Sequence, residues 1–300
     1  MLQLGFGFIL GIVLGSFAKA LADRSVTKRS FLGRSYCESC KKQLKWYDLF
    51  PVLSFIFLKG KCRYCKIKLP LEYLLFELLT GLLIGYLFFL KIPGNFFNLD
   101  IYQYILLGQD LILKIFIVIV LEIVFLTDLK TGLIPDRITY PSIAGLFIFL
   151  IISTITKIAI IFHSLSNNEI GRYLLPPHSD YFLRHSILSA QPLYNGVLAA
   201  LILALFFGGL IFFTKGRGMG GGDFKLSIFI GLAFGIPDSL MVIMLSFILG
   251  SVVGIALLLF GKKRFGQTIP FGPFMSLAGI LTVFLGSNLI NWYLQTLRLI

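Results

Sequence analysis

Two aspartates at the edges of long apolar runs are the residues of this sequence best placed to do chemistry. Asp128 closes one run in Leu126-Thr-Asp-Leu-Lys-Thr-Gly-Leu-Ile-Pro-Asp136, and Asp223 precedes another in Gly218-Met-Gly-Gly-Gly-Asp-Phe-Lys-Leu226. Two carboxyls within a few ångströms in a poorly solvated site cannot both ionise, so one keeps a proton; the pair can then activate water and protonate a leaving group. A juxtamembrane charge at Asp128 and a helix cap at Asp223 are the plain alternatives. The glycines around Asp223 (Gly216, Gly218, Gly220, Gly221, Gly222) favour the catalytic reading, because such a backbone reaches φ > 0 and lets a substrate chain come close. Gly216, Gly218 and Gly221 also satisfy GxGxxG, but no strand precedes them and no βαβ unit fits there, which argues against a dinucleotide.

The second constellation is Cys37-x-x-Cys40 followed by Cys62-x-x-Cys65, which accounts for all four cysteines. Two such knuckles suit four thiolates on one tetrahedral zinc, a closed structural site with no open position for water. Two small disulfides or four free thiols are the alternatives, and a reducing compartment opposes the disulfides.

The elements that must position these residues are membrane helices. Of the 300 residues, 57% are hydrophobic and only 14% charged, figures that exclude a soluble enzyme and a disordered chain. Eight runs approach the length of a spanning helix: Leu2 to Ala22, Leu71 to Leu90, Leu111 to Thr127, Ile138 to Phe162, Leu193 to Phe213, Leu226 to Ile236, Ser239 to Phe260 and Phe271 to Trp292. The sixth is short. The first lacks a basic start and a cleavage site and reads as a retained helix. Residues 22–70 hold twelve Lys or Arg against Asp23, Glu38 and Asp48, so that loop is expected in the cytoplasm. Alternation then puts Lys130 and Arg137, Lys215 and Arg217, and Lys262 to Arg264 on the same side, with both termini outside and Asp128 and Asp223 at the cytoplasmic ends of their helices. The expected fold is thus an all-α polytopic membrane protein of about eight transmembrane helices with a cytoplasmic zinc-ribbon-like loop. Its parts are a first helix (1–22), a double-CxxC domain (23–70) and a seven-helix core (71–300) with an outer insertion at 163–192.

The remaining ionisable residues are weighed against simpler roles. Asp136, after Pro135, reads as a helix cap or a support of the site. Glu72 and Glu77 lie about 140° apart round a helix, so they make no common acidic face; Glu72 is interfacial, while Glu77 and Glu122 face the bundle interior. His163, His178 and His185 sit in the outer insertion without metal-ligand spacing and read as solvated. A proton-coupled transporter with a relay through Glu77, Glu122 and Asp128 is the main rival, though its acids would have to span the membrane depth. The net charge of +13 also raises nucleic-acid binding by the basic cysteine loop, but the membrane topology already accounts for those charges.

With these motifs together, the chain resembles the type IV prepilin peptidases, membrane aspartyl proteases of the GxGD type that are also prepilin N-methyltransferases. The resemblance covers nearly the whole chain and includes Gly15-Ser-Phe-Ala18, Trp46-Tyr-Asp-Leu-Phe-Pro51, Glu77-Leu-Leu-Thr-Gly81 and Gly218 to Leu226. It departs from the usual family pattern at Glu38 and Lys19, where Pro and Asn are common. The resemblance implies Asp128 and Asp223 as the catalytic pair; Gly220, Gly222, Lys225, Asp136 and Glu77 are the residues expected to shape the site. It implies Zn2+ on Cys37, Cys40, Cys62 and Cys65, and S-adenosylmethionine for methylation. The implied substrates are type IV prepilins or pseudopilins with their apolar helix in the bilayer, cut at the cytoplasmic face of the bacterial inner membrane, with no nucleic-acid partner.

Overall fold

The computed structural model describes residues 2–296 apart from Lys28, Leu32, Glu38, Asn95, Arg217, Gly218 and 262–268. Gly218 of the glycine loop and five of the basic residues used for orientation (Lys28, Arg217, Lys262, Lys263, Arg264) lie outside the described residues. The chain divides into two compact units, Met1–Leu99 and Asp100–Ile300.

In the first unit, α1 (Leu2–Val26) leads into a loop region containing the short α2 (Leu53–Phe57), which returns through α3 (Glu72–Lys91). The pairing of α1 with α3 rests on small residues. Gly7, Gly11 and Gly15 recur every fourth residue, so they stack along one face of α1, and that face is buried. A Cβ on Gly11 would lie 2.8 Å from the Gly81 Cα and the Thr80 carbonyl oxygen, and one on Gly7 would lie 2.8 Å from Phe88. Backbones this close gain dispersion energy that bulky side chains would forfeit, the usual route to helix association in lipid. At the far end of the seam Lys19 is buried, yet it is well partnered. Its ammonium lies 2.5 Å from Asp23 and 3.3 Å from Glu72, and 4.4 Å over the Tyr73 ring. The Tyr73 hydroxyl donates to Asp23 at 3.0 Å.

The second unit holds α4 (Ile101–Thr131), α5 (Asp136–Ser166), α6 (Glu169–Arg172), α7 (Tyr181–Ser189), α8 (Gln191–Thr214), α9 (Gly221–Phe234), α10 (Asp238–Leu259) and α11 (Gly272–Thr296). Its centre is α9, where Leu226, Phe229 and Ile230 are fully buried. Gly231 sits where a Cβ would strike Ala200 of α8, and Gly196 of α8 lies against Leu232. Across the other side, Gly279 of α11 receives Leu121 of α4, and Phe247 of α10 meets Phe271 with ring centroids 5.0 Å apart.

The chain is an all-helical multi-pass membrane protein, and the expected eight spans are not all confirmed. Among the described residues, five helices are long and apolar enough to cross a bilayer: α1, α3, α5, α8 and α10. The sixth run becomes α9, 14 residues ending at Gly235 (φ 65°). At 1.5 Å per residue it is about 21 Å long, short of the ~30 Å hydrocarbon core. α11 covers 25 residues, Gly272–Thr296. The third helix is not among the five: it carries Asp110, Lys114, Glu122 and Asp128, and it starts ten residues before the expected Leu111. Asp100 begins it with a capping box, its backbone N–H donating to Gln103 at 3.2 Å. The outer insertion is also more ordered than a polar loop: α5 runs on to Ser166, and α6 and α7 follow.

Gly11→Leu should destabilise the α1–α3 pair by about 1–3 kcal/mol, the cost of overpacking a close contact. Gly5→Leu, with nothing within 4 Å of the added carbon, should leave thermal unfolding in detergent unchanged.

Candidate active site and metal centre

Three helix ends converge in the second unit. Asp128 lies in the last turn of α4, 4% exposed, and the helix stops four residues later at Gly132 (φ 64°), whose N–H donates to the Asp128 carbonyl oxygen at 2.8 Å. The side-chain carboxylate accepts a hydrogen bond from the backbone N–H of Gly272, at the start of α11. A Cβ on Gly272 would lie 2.5 Å from Asp128 Oδ2 and 3.0 Å from Ile134 Cδ1. Ile134, in the α4–α5 connection, also fills the space beside Gly222, where a Cβ would meet its side chain at 3.1 Å.

Gly222 is followed by Asp223, the third residue of α9. The Asp223 carboxylate accepts the backbone N–H of Gly220, the cap residue, and stands close enough to Asp128 for the two charges to repel. Two aspartates distant in sequence thus meet because α9 and α11 both begin where α4 ends. The free N–H groups and positive dipole ends of α9 and α11 face the carboxylates, which lowers the cost of holding negative charge there.

Several expected site residues find other partners. Lys225 lies 2.5 Å from Asp136 and 4.9 Å over the Tyr140 ring. Asp136 therefore ties the start of α5 to the start of α9, and no side-chain cap bond is formed at the α5 terminus. The glycine loop is less unusual in backbone than expected: Gly216 has φ 74°, but Gly220 (φ −81°) is extended and Gly222 is helical. Gly222 is small because Ile134 is adjacent. Glu122 is buried about 9 Å further along α4. Glu77 belongs to the first unit, where its Oε2 accepts the Val52 N–H at 2.7 Å and its carboxylate also bonds Ser16. The rival acid relay of Glu77, Glu122 and Asp128 finds no support: Glu77 belongs to the first unit and the other two to the second. Gly272 and Ile134 were missed in the sequence. A glycine between Phe271 and Pro273 at the start of an apolar run was the available signal.

In the first unit the two cysteine knuckles are copies of one local structure. In each, the first cysteine donates its N–H to the carbonyl five residues on (Cys37 to Lys42, 3.0 Å; Cys62 to Ile67, 2.9 Å). In each, its carbonyl accepts the N–H four residues on (Lys41, 2.9 Å; Lys66, 3.0 Å), from a lysine with positive φ (57° and 60°). Single antiparallel bridges flank them, Tyr36 with Gln43 and Lys61 with Lys68. The four Sγ atoms lie within 4.8 Å of one another, and Cys37 and Cys65 are 3.8 Å apart. Four thiolates at about 2.3 Å from one tetrahedral ion would stand about 3.8 Å apart, so the cluster fits a metal ion. The backbone N–H of Cys65 holds the Cys62 thiol down to about 7. Cys65 also receives a backbone N–H, from Ile67, but desolvation and its neighbouring thiols push it up to about 11. Asp48 braces the arrangement, accepting from Arg63 Nε at 2.6 Å and from the Lys45 N–H at 3.2 Å. Among the described residues no second such cluster forms: His163 pairs with the Tyr102 hydroxyl, and His178 and His185 lie against Tyr173 and Tyr181.

Comparison with known proteins bears on both centres. The prepilin leader peptidase/N-methyltransferase of Legionella pneumophila is 30% identical over 264 residues, 88% of this chain and 76% of the relative. The chain belongs to the type IV leader peptidase family. The same-named protein of Bacillus subtilis (strain 168) is 28% identical over 96% of both chains, and that of Aeromonas salmonicida (strain A449) is 28% identical over 88% of this chain and 75% of its own. The family model for the bacterial peptidase A24 N-terminal domain matches residues 9–91, which hold all four cysteines and Glu77. The model of the type IV leader peptidase family itself matches residues 181–255, which hold Asp223 and Lys225; Asp128 and Asp136 fall between the two stretches. No solved structure matches.

The purified chain should carry one divalent metal ion, measured by elemental analysis. Because protons compete for the thiolates, the ion should be retained at neutral pH and lost on acidification. Cys62→Ser should lose it at neutral pH.

Proposed function

We propose that the protein is an aspartic endopeptidase that removes the leader of type IV prepilins or pseudopilins at the cytoplasmic face of the bacterial inner membrane, and that it also methylates the new amino terminus. The observation that carries the cleavage reading is the meeting of the Asp128 and Asp223 carboxylates at the convergence of α4, α9 and α11. The relatives' shared name supports both activities. The basic loop 22–70 supports the cytoplasmic orientation.

In this mechanism the pair works with one proton between its carboxyls, since like charges at short range disfavour double ionisation. The ionised member takes a proton from water as the oxygen attacks the scissile carbonyl. The protonated member hydrogen-bonds the developing oxyanion, and the departing amine then receives a proton from the pair. Asp128 is the more buried partner, held in place by the Gly272 N–H. Gly221, two residues before Asp223, has open space beside it, room that a peptide chain could use to approach the pair. A substrate whose apolar helix lies in the bilayer would bring its cleavage junction to this interface without leaving the membrane.

Zinc is the metal proposed for the cysteine site, where it would hold the two knuckles together. Methylation would draw on S-adenosylmethionine; that reading rests on the relatives' name, and no residue is assigned to the donor.

Co-expression with a prepilin, followed by mass spectrometry of its amino terminus, tests the assignment. Asp128→Asn and Asp223→Asn should each lower cleavage about 100- to 10,000-fold, the usual worth of a general acid or base, while the protein still inserts. Cleavage retained in both variants would refute the pair. Gly272→Ala, which pushes on Asp128 Oδ2 without touching its chemistry, should lower kcat by up to ~100-fold.

A further inference from the structure

The bilayer accounts for the exposed apolar side chains of α1 and α3, but not for a second set outside the spans. Between the two knuckles, Trp46 is 74% exposed, Phe50 49%, Leu53 53%, Ile56 59% and Phe57 80%. Leu53, Ile56 and Phe57 follow the i, i+3, i+4 spacing of one face of α2, and before the turn Phe50 meets Trp46, ring centroids 5.7 Å apart; we read the five as one patch. Exposed Lys45, Lys59 and Lys61 border the patch in sequence.

A second observation fixes where this patch lies. Val52 has φ 61° and ψ −53°, a conformation that is strained for a β-branched residue, and Leu53 N–H closes a γ-turn onto the Pro51 carbonyl at 2.5 Å. The turn is held by Glu77, whose carboxylate accepts the Val52 N–H at 2.7 Å. Glu77 is five residues into α3, about 7 Å along its axis. The bond therefore pins the start of α2 alongside the first turns of α3, near one end of a helix apolar enough to span the bilayer. Strain at such a point persists only where the surroundings impose it.

We propose that Trp46–Phe57 is an interfacial membrane anchor: Trp46, Phe50, Leu53, Ile56 and Phe57 enter the headgroup–acyl boundary, and Lys45, Lys59 and Lys61 meet anionic lipid headgroups. The occupant is lipid because the Val52–Glu77 bond ties the patch to the first turns of a helix apolar enough to span the bilayer, its aromatic residues are of the interfacial kind, and its rim is cationic. The cysteine domain is thereby held flat on the bilayer at two further points, the anchor and the Glu77 tie, besides its chain connections.

The test uses the full chain in lipid nanodiscs with Trp292→Phe, which leaves Trp46 as the sole tryptophan. Trp46 emission should be blue-shifted, poorly quenched by aqueous acrylamide and strongly quenched by lipids brominated near the headgroup, and the bromine quenching should rise with the anionic lipid fraction. The triple change Lys45→Glu, Lys59→Glu, Lys61→Glu should remove that dependence while metal content, the check on folding, is unchanged. A Trp46 quenched by acrylamide and blind to brominated lipid overturns the anchor. A Trp46 that becomes shielded only when a prepilin is added overturns it in favour of a protein partner, and equal bromine quenching in neutral and anionic discs overturns the anionic-lipid assignment.

Discussion

A carboxylate sealed from water at a helix C-terminus sits where the helix dipole is unfavourable, and Asp128 is such a group, 4% exposed at the last turn of α4. What makes the position tenable is the backbone of another helix. Gly272 brings its N–H to the carboxylate, and only a residue without a Cβ can do so, since the added carbon would lie 2.5 Å from Oδ2. From that contact the rest of the site follows. The start of α11 must lie against the end of α4; Ile134 then packs between Gly272 and Gly222; and Gly222 sets the start of α9, and with it Asp223, beside Asp128. Lys225 and Asp136 tie the start of α9 to the start of α5 as well.

The shortness of α9 belongs to the same logic. A helix of 14 residues starting beside the two aspartates and ending at Gly235 is about 21 Å long, shorter than the ~30 Å hydrocarbon core. Gly231 of α9 and Gly196 of α8 bring the two backbones together, so the helix carrying Asp223 is held on its flank as well as at its tip. The first unit uses the same device in its Gly7, Gly11 and Gly15 seam. In both units, small residues permit an approach that fixes polar groups in lipid, where no hydrophobic force between helices is available to do so.

What could be read in the sequence was whatever depends on local spacing. The cysteine quartet, the two aspartates and the apolar runs of α1, α3, α5, α8 and α10 were legible because their signals are periodic or motif-bound. Helix lengths were less legible, because neighbours and caps set them: α9 is only 14 residues long, and α4 begins ten residues before its apolar run, where Asp100 and Gln103 cap it. Gly272 was invisible because its role is a contact with a residue far away in the chain. The glycines near Asp223 invited a reading in terms of backbone freedom, whereas at Gly222 the operative constraint is the volume of Ile134.

The central claim is that a peptide bond is cut between Asp128 and Asp223. A leader-junction peptide with a hydroxyethylene isostere at the scissile position and a photoreactive group beside it, cross-linked to the protein in liposomes and mapped by mass spectrometry, addresses this claim directly. The account predicts adducts in 126–136, 216–226 and 270–274, abolished by excess unlabelled isostere. Competable adducts confined to segments outside these three would contradict it.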